Sequence, residues 1–236
     1  MENYYKGHGR VLVALDCIIF GFDRKKLKLL LIKRNFEPQK GEWSLMGGFL
    51  RPHEGLDEAA SRILNELTGL ENIYLEQLYG FGEVDRDPVE RTISIAFYAL
   101  INTHDHDEEI VSDFDARWFD VDELPDLIFD HQKMVKAAIT RLRYRTSLEP
   151  VGFELLPDKF TLPELQQLYE AIYDTNLDKR NFRRRILSMN VLEKTDEKQK
   201  KYSRKGAFLY RFDQDKYRTE LSRNGGSNLS FKPPKV

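Results

Sequence analysis

The segment "GGFLRPHEGLDEAASRILNELTGL", residues 47–70, constrains this chain more than any other. Two glycines interrupt a short apolar strand and a polar loop follows. From Gly55 to Thr68 the apolar residues then recur at helical spacing, until Gly69 ends the helix. A strand, a Gly-containing loop and an amphipathic helix in this order predict a mixed α and β core. Apolar, β-branched runs on either side agree: "RVLVALDCIIFGF" (10–22), "LKLLLIKR" (27–34), "WSLMGGFL" (43–50), "IYLEQLYGFG" (73–82), "RTISIAFYALI" (91–101) and "ARWFDV" (116–121) read as strands. Asp130 is placed to cap a helix running to about Arg145, whose last turns carry Arg141, Arg143 and Arg145.

Gly48, Glu54, Arg62, Glu66, Gly69 and Leu70 follow a spacing that resembles the Nudix box, G-x5-E-x7-R-E-U-x-E-E-x-G-U with U aliphatic. In that family the loop and helix hold a divalent metal against a diphosphate. Carboxylates three and four positions apart share one helix face, and Mg²⁺ takes oxygen ligands. Here the first glutamate of the helix is Ile63 and the last is Leu67, so only Glu66 remains. A metal-binding face has become a packing face. The resemblance therefore implies a Nudix fold kept for ligand binding, with no catalytic residue, no metal ligand and no cofactor. An active pyrophosphohydrolase with rearranged ligands is the enzymatic alternative.

At 236 residues the chain is long enough for two domains, and its charge divides accordingly. Net charge is only −2, but the acidic residues concentrate in the first 149 positions, and the remainder is basic. A basic second half favours an anionic partner. No apolar run reaches the ~20 residues of a membrane span, and the N-terminus has no leader-like apolar stretch. The single cysteine, Cys17, lies in the apolar run "CIIF" and reads as a buried, reduced thiol. A cytoplasmic protein is expected.

The segment "SLEPVGFELLPDKF" has two prolines and no helical period, which puts a domain boundary near residue 150. Thr161 and Glu164 form a capping-box pattern opening one helix, and Asp178 is the N-cap of a second, "KRNFRRRILSM". Two strand-like pieces follow, "VLEKT" and "AFLYRF", around the basic loop "DEKQKKYSRKG". Helix, turn, helix and hairpin make a winged helix-turn-helix. At about 100° per residue, Phe182, Ile186 and Met189 share the inner face of the second helix. Arg180, Asn181, Arg184 and Ser188 lie opposite, with Arg183 to one side. Arginine and asparagine suit guanine and adenine edges. Lys179, Arg183 and the wing residues Lys198, Lys200, Lys201, Arg204 and Lys205 suit phosphates. The Gly-, Ser- and Pro-rich stretch 219–236 is expected to be a disordered tail.

Together the halves resemble the Nudix-related transcriptional regulators of bacteria over residues 8–218, including "LLLIKRNFEPQKGEWSLMGGF", "YGFGEVDRDPVERTISIAFYAL" and "LLPDKFTLPELQQLYEAIYDTNLDKRNFRRRIL". The resemblance implies an α+β chain: an N-terminal Nudix α/β/α sandwich (1–149) that senses a metabolite, then a winged helix (150–218). It implies a homodimer that binds double-stranded DNA at a palindromic operator. Family effectors are ADP-ribose or pentoses such as L-arabinose, and "RNFEPQKGEWSLMGGF" with "DRDP" leans toward the arabinose-type regulators. The effector pocket is expected at Lys33, Arg34, Glu42, Trp43, Glu66, Asp85 and Arg86, with Trp43 stacked on a sugar. His104 and His106 read as part of a solvated acidic loop rather than a metal site.

Overall fold

The computed structural model describes residues 7–71, 73, 75–103, 115–200, 206–224 and 229–231. Its organising element is β1 (Leu12–Phe22). This strand runs parallel to β6 (Thr92–Asn102) along its whole length, from Leu12 opposite Thr92 to Phe22 opposite Asn102. Two antiparallel strands share the other edge of β1. β2 (Leu27–Lys33) takes its C-terminal half and β4 (Met46–Phe49) its N-terminal half. β3 (Trp43–Ser44) and β7 (Ala116–Asp120) pair with β2, and β5 (Leu75–Phe81) pairs with β6, completing a seven-stranded sheet.

The period of two along β1 sorts its side chains into two cores. Leu15, Cys17 and Ile19 pack with Ala59, Ala60, Ile63 and Leu64 of helix α1 (Leu56–Thr68). Ile18, Phe20 and Phe22 face helix α2 (His131–Leu148) through Met134, Val135, Ala138 and Leu142. The result is the expected α/β/α sandwich. Burial pushes the Cys17 thiol up to about 12, which makes it inert. Gly69 ends α1 in the left-handed conformation at φ 70°.

Behind α2 a short 3-10 turn (Phe153–Leu155) leads into β8 (Phe160–Thr161), α3 (Leu162–Tyr173), α4 (Lys179–Ser188), β9 (Leu192–Gln199), β10 (Ala207–Phe212) and α5 (Gln214–Asn224). Thr161 and Glu164 close the expected capping box on α3, and the Asp178 carboxylate accepts from Asn181 N at 2.8 Å to cap α4. The wing sheet has three strands rather than the two expected, ordered β8–β10–β9, because the two-residue β8 is too short to show a period. The second core continues into this domain: Leu165, Leu168, Tyr169, Phe182, Ile186 and Met189 join the cluster that holds Phe20 and Met134.

Three expectations change. Asp130 precedes α2, but its side chain does not cap the helix, and α2 continues past Arg145 to Leu148. The stretch from residue 219 is not uniformly disordered. Residues to Asn224 belong to α5, while Leu229 and Phe231 are buried, with the Phe231 ring 4.9 Å from Tyr169 and 5.6 Å from Phe182. Trp43 packs against the second core: its ring and that of Phe119 form a T-shaped pair at 4.8 Å, with the Lys33 ammonium 5.3 Å from the indole centre.

Candidate functional site

The box loop and α1 are closed on themselves. Arg62 bonds both oxygens of Glu54, at 2.8 and 2.6 Å, and Glu66 at 3.0 Å, while Arg51 reaches Glu66 at 3.1 Å. The Arg62 guanidinium holds the Glu54 carboxyl down at about 2. A Cβ on Gly48 would stand 3.0 Å from Ile63, so the strand passes directly over the side chain that replaces the first glutamate. Leu67 is partly buried in the same core and also reaches the wall of a cavity.

That cavity, of about 230 Å³, lies between β1, β4, the loop after β2 and the start of α2. Its floor is a buried polar network. The Arg86 guanidinium grips Asp130 through Nε at 3.2 Å and Nη2 at 2.8 Å, and approaches Asp16 at 3.7 Å. Ser94 donates to Asp16 at 2.5 Å. His131 accepts from the Leu45 amide through Nδ1 at 3.2 Å and turns Nε2 toward Asp16 at 3.5 Å. Burial lowers the His131 pKa below its ordinary value, so the ring is neutral with its proton on the Asp16 side. Glycine is required at 47, because a Cβ there would stand 2.4 Å from the Asp16 carboxylate.

The rim is cationic and aromatic. Lys33 and Arg34 line it, and the Arg34 guanidinium lies 3.8 Å from the Phe36 ring centre and 5.4 Å from that of Phe129. Phe129 has φ 50°, a strained conformation for a bulky residue, and its ring abuts His131. Asp87 and Asp115 also line the opening.

Of the expected pocket residues, Lys33, Arg34 and Arg86 come together here. Glu42 and Asp85 are exposed, and Glu66 is held by two arginines on the outer side of α1. Sequence reasoning missed Asp16, Asp87, Phe129 and His131. Asp16 did leave a signal, since an acid inside the apolar run "VALDCIIF" must find a buried partner. Among the described residues no cluster of His, Cys, Asp or Glu is arranged to hold a metal ion, and His104 and His106 lie outside them.

On the winged helix, α4 buries Phe182 and Ile186 and exposes Lys179, Arg180, Asn181, Arg183 and Arg184. Asn181 Oδ1 accepts from Arg184 at 3.1 Å, which holds the two side chains side by side. Arg185 turns inward, and its Nε donates to Ser230 O at 2.9 Å. Lys198 and Lys200 are exposed at the base of the wing; Lys201, Arg204 and Lys205 lie outside the described residues.

A Nudix sandwich joined through one helix to a winged helix with an exposed basic second helix defines a class: a nucleic-acid-binding module fused to a small-molecule fold. Family models divide the chain at the same place, the NUDIX domain matching residues 11–138 and the NrtR DNA-binding winged helix domain residues 152–212. The ADPR responsive transcriptional repressor of Acinetobacter baylyi is 38% identical over 205 residues, 85% of this chain and 82% of that protein. The crystal structure of Shewanella oneidensis NrtR with a 27mer DNA superposes with a TM-score of 0.78 at 30% identity, covering 87% of this chain and 95% of that one. The NUDIX domain of that Shewanella protein in complex with ADP ribose gives a TM-score of 0.51 at 30% identity, covering 60% of this chain and 99% of that one. The chain belongs to the Nudix-related transcriptional regulators, with an NrtR-type winged helix. The leaning toward arabinose is corrected by these relatives, whose descriptions carry ADP-ribose and no sugar regulator.

Proposed function

We propose that the protein is an operator-binding repressor whose Nudix domain senses ADP-ribose and has lost hydrolase activity. The observation that carries this reading is a cationic, aromatic pocket rim beside a helix whose metal positions carry apolar replacements. Lys33 and Arg34 stand where a diphosphate can be met by side chains, and Ile63 and Leu67 leave Glu66 alone of the three glutamates on the helix. Phe36 and Phe129 offer ring faces to a purine, and Asp87 and Asp115 accept from ribose hydroxyls. The enclosed space of about 230 Å³ takes part of such a ligand, and the rest lies along the exposed ring of Phe36. A neutral pentose would leave the charges of the rim without work.

On the DNA side, Arg180, Asn181 and Arg184 read bases, while Lys179, Arg183, Lys198 and Lys200 hold phosphates. One winged helix reads few base pairs, so two chains act on one palindromic operator as a homodimer. ADP-ribose weakens operator binding by preferring one arrangement of the domains, and a coupling of about 1–3 kcal/mol gives a 5–150-fold change. Operator titrations of the full chain with ADP-ribose, L-arabinose and xylose test the effector. A response to ADP-ribose alone supports the reading, and a response to arabinose alone overturns it. Incubation of ADP-ribose with Mg²⁺ or Mn²⁺ should give no turnover above a blank. Turnover that disappears in Glu66→Gln would restore the enzymatic alternative.

A further inference from the structure

The tip of the β1–β2 hairpin, "DRKK" at 23–26, belongs to the Nudix domain yet sits against the winged helix. Its shape is set locally. The Asp23 carboxylate accepts from the amides of Lys25 and Lys26, both at 2.9 Å, and Arg24 takes the left-handed conformation at φ 72°. Its place against the other domain is set by one buried carboxylate. Glu164 accepts from Thr161 in the capping box at 2.8 Å, from Gln199 of the wing strand at 3.4 Å, and pairs with Arg24 at 3.7 Å. A single side chain thus ties the sensor hairpin, the first helix of the helix-turn-helix and the wing together.

Lys25 and Lys179, the first residue of α4, line one groove of about 680 Å³, with Gln199 and Ala207 in its wall. A second groove shares Pro163, Lys179 and Ala207 with the first and contains Arg183. The basic surface is therefore continuous from the second helix of the winged helix to the Nudix hairpin. Lys25 is exposed, and among the described residues no carboxylate pairs with it. The two acids that line this groove with it are occupied, Glu164 as above and Asp23 by Lys28 at 3.0 Å.

We propose that the hairpin tip of the sensor domain is part of the DNA-binding face, with Lys25 and Lys179 holding a backbone phosphate of the operator between them. This rests on the reading of α4 as the DNA-reading helix. Double-stranded nucleic acid is the partner that fits, because the groove extends a surface already rich in exposed arginine, and the exposed ammonium groups of Lys25 and Lys179 suit backbone phosphate. It also gives the sensor a direct hold on DNA. Any rearrangement that parts Arg24 from Glu164 withdraws Lys25 from the phosphate without deforming the winged helix.

The test is a salt series with the full-length protein on an operator duplex and an unrelated duplex. Lys25→Ala should reduce the slope of log affinity against log salt by about 0.9 for each phosphate that is no longer neutralised, and weaken both duplexes by the same factor. Lys25→Glu should weaken them further, while Lys133→Glu, the same charge change at an exposed site on α2, should have a smaller effect. Wild-type slopes for both Lys25 variants, or an equal loss from Lys133→Glu, would overturn the proposal. Arg184→Ala on the same duplexes separates the two readings. If it abolishes operator preference while the Lys25 variants behave as wild type, only the hairpin's hold on phosphate is wrong. If it too has no effect, the reading of α4 fails.

Discussion

In the Nudix half two arginines are closed by carboxylates, Arg62 between Glu54 and Glu66, and Arg86 against Asp130 and Asp16. On the second helix of the winged helix the corresponding charges face water: Arg180, Arg183 and Arg184 are exposed, and among the described residues Arg184 bonds only a neighbouring asparagine oxygen. The first arrangement holds the shape of a pocket, since a buried charge tolerates little movement of its partner. The second keeps charge available for a partner outside the chain. One region should fail by unfolding, the other by failing to bind, and this difference can be tested.

Arg86→Ala should have the largest effect. It leaves Asp130 and Asp16 buried without their cation, which costs about 3–5 kcal/mol. Denaturant unfolding measures it; a loss under ~1 kcal/mol would mean the network is not closed as described. Phe231→Ala comes next. It removes a ring packed on Tyr169, Tyr173 and Phe182, and should cost about 3 kcal/mol. An unchanged unfolding midpoint would return that segment to a dispensable tail. Arg184→Ala should leave unfolding untouched and cost about 1–3 kcal/mol in operator affinity, with relaxed sequence preference. If it destabilises the fold instead, the contrast between closed and open charges breaks down.

The smallest expected effect concerns pH. His131 has a folded pKa below its ordinary value of 6.5, with burial the main cause. Above that value both states are neutral and stability is full. As pH falls below it the unfolded chain takes up a proton that the folded ring resists. Stability then declines by up to about 1.4 kcal/mol per pH unit until the folded pKa is reached. His131→Asn, which retains an acceptor for the Leu45 amide, should lack this component of the pH dependence. An identical profile in the variant would assign the decline to other groups.

The locally encoded features were legible. The caps at Thr161 and Asp178, the stop at Gly69 and the inner face of α4 each depend on residues a turn or two apart. The aliphatic replacements at Ile63 and Leu67 were equally plain against the spacing of the box. The candidate pocket was only half legible. Lys33, Arg34 and Arg86 are flagged by charge next to strand ends, whereas Trp43 packs beside Phe119 outside the lining of this cavity, and a tryptophan beside a glycine loop suits a ligand or a core equally well. Asp130 was misread because an aspartate before a helix has a local use, and a buried arginine 44 positions away competes for it.

Most helix and strand positions, the aliphatic replacements in the box and the order of the two domains were determined by the sequence itself, because periodicity, caps and motif spacing act over a few residues. Which face of β1 meets which helix, the convergence of Asp16, Arg86, Asp130 and His131 beneath one cavity, the burial of Phe231, and the pairing of Arg24 with the buried Glu164 were decided only by the tertiary structure. These pairings join residues far apart in the chain. They form because a buried charge must find its counter-charge and an apolar ring its cover, and local patterns carry no address for either.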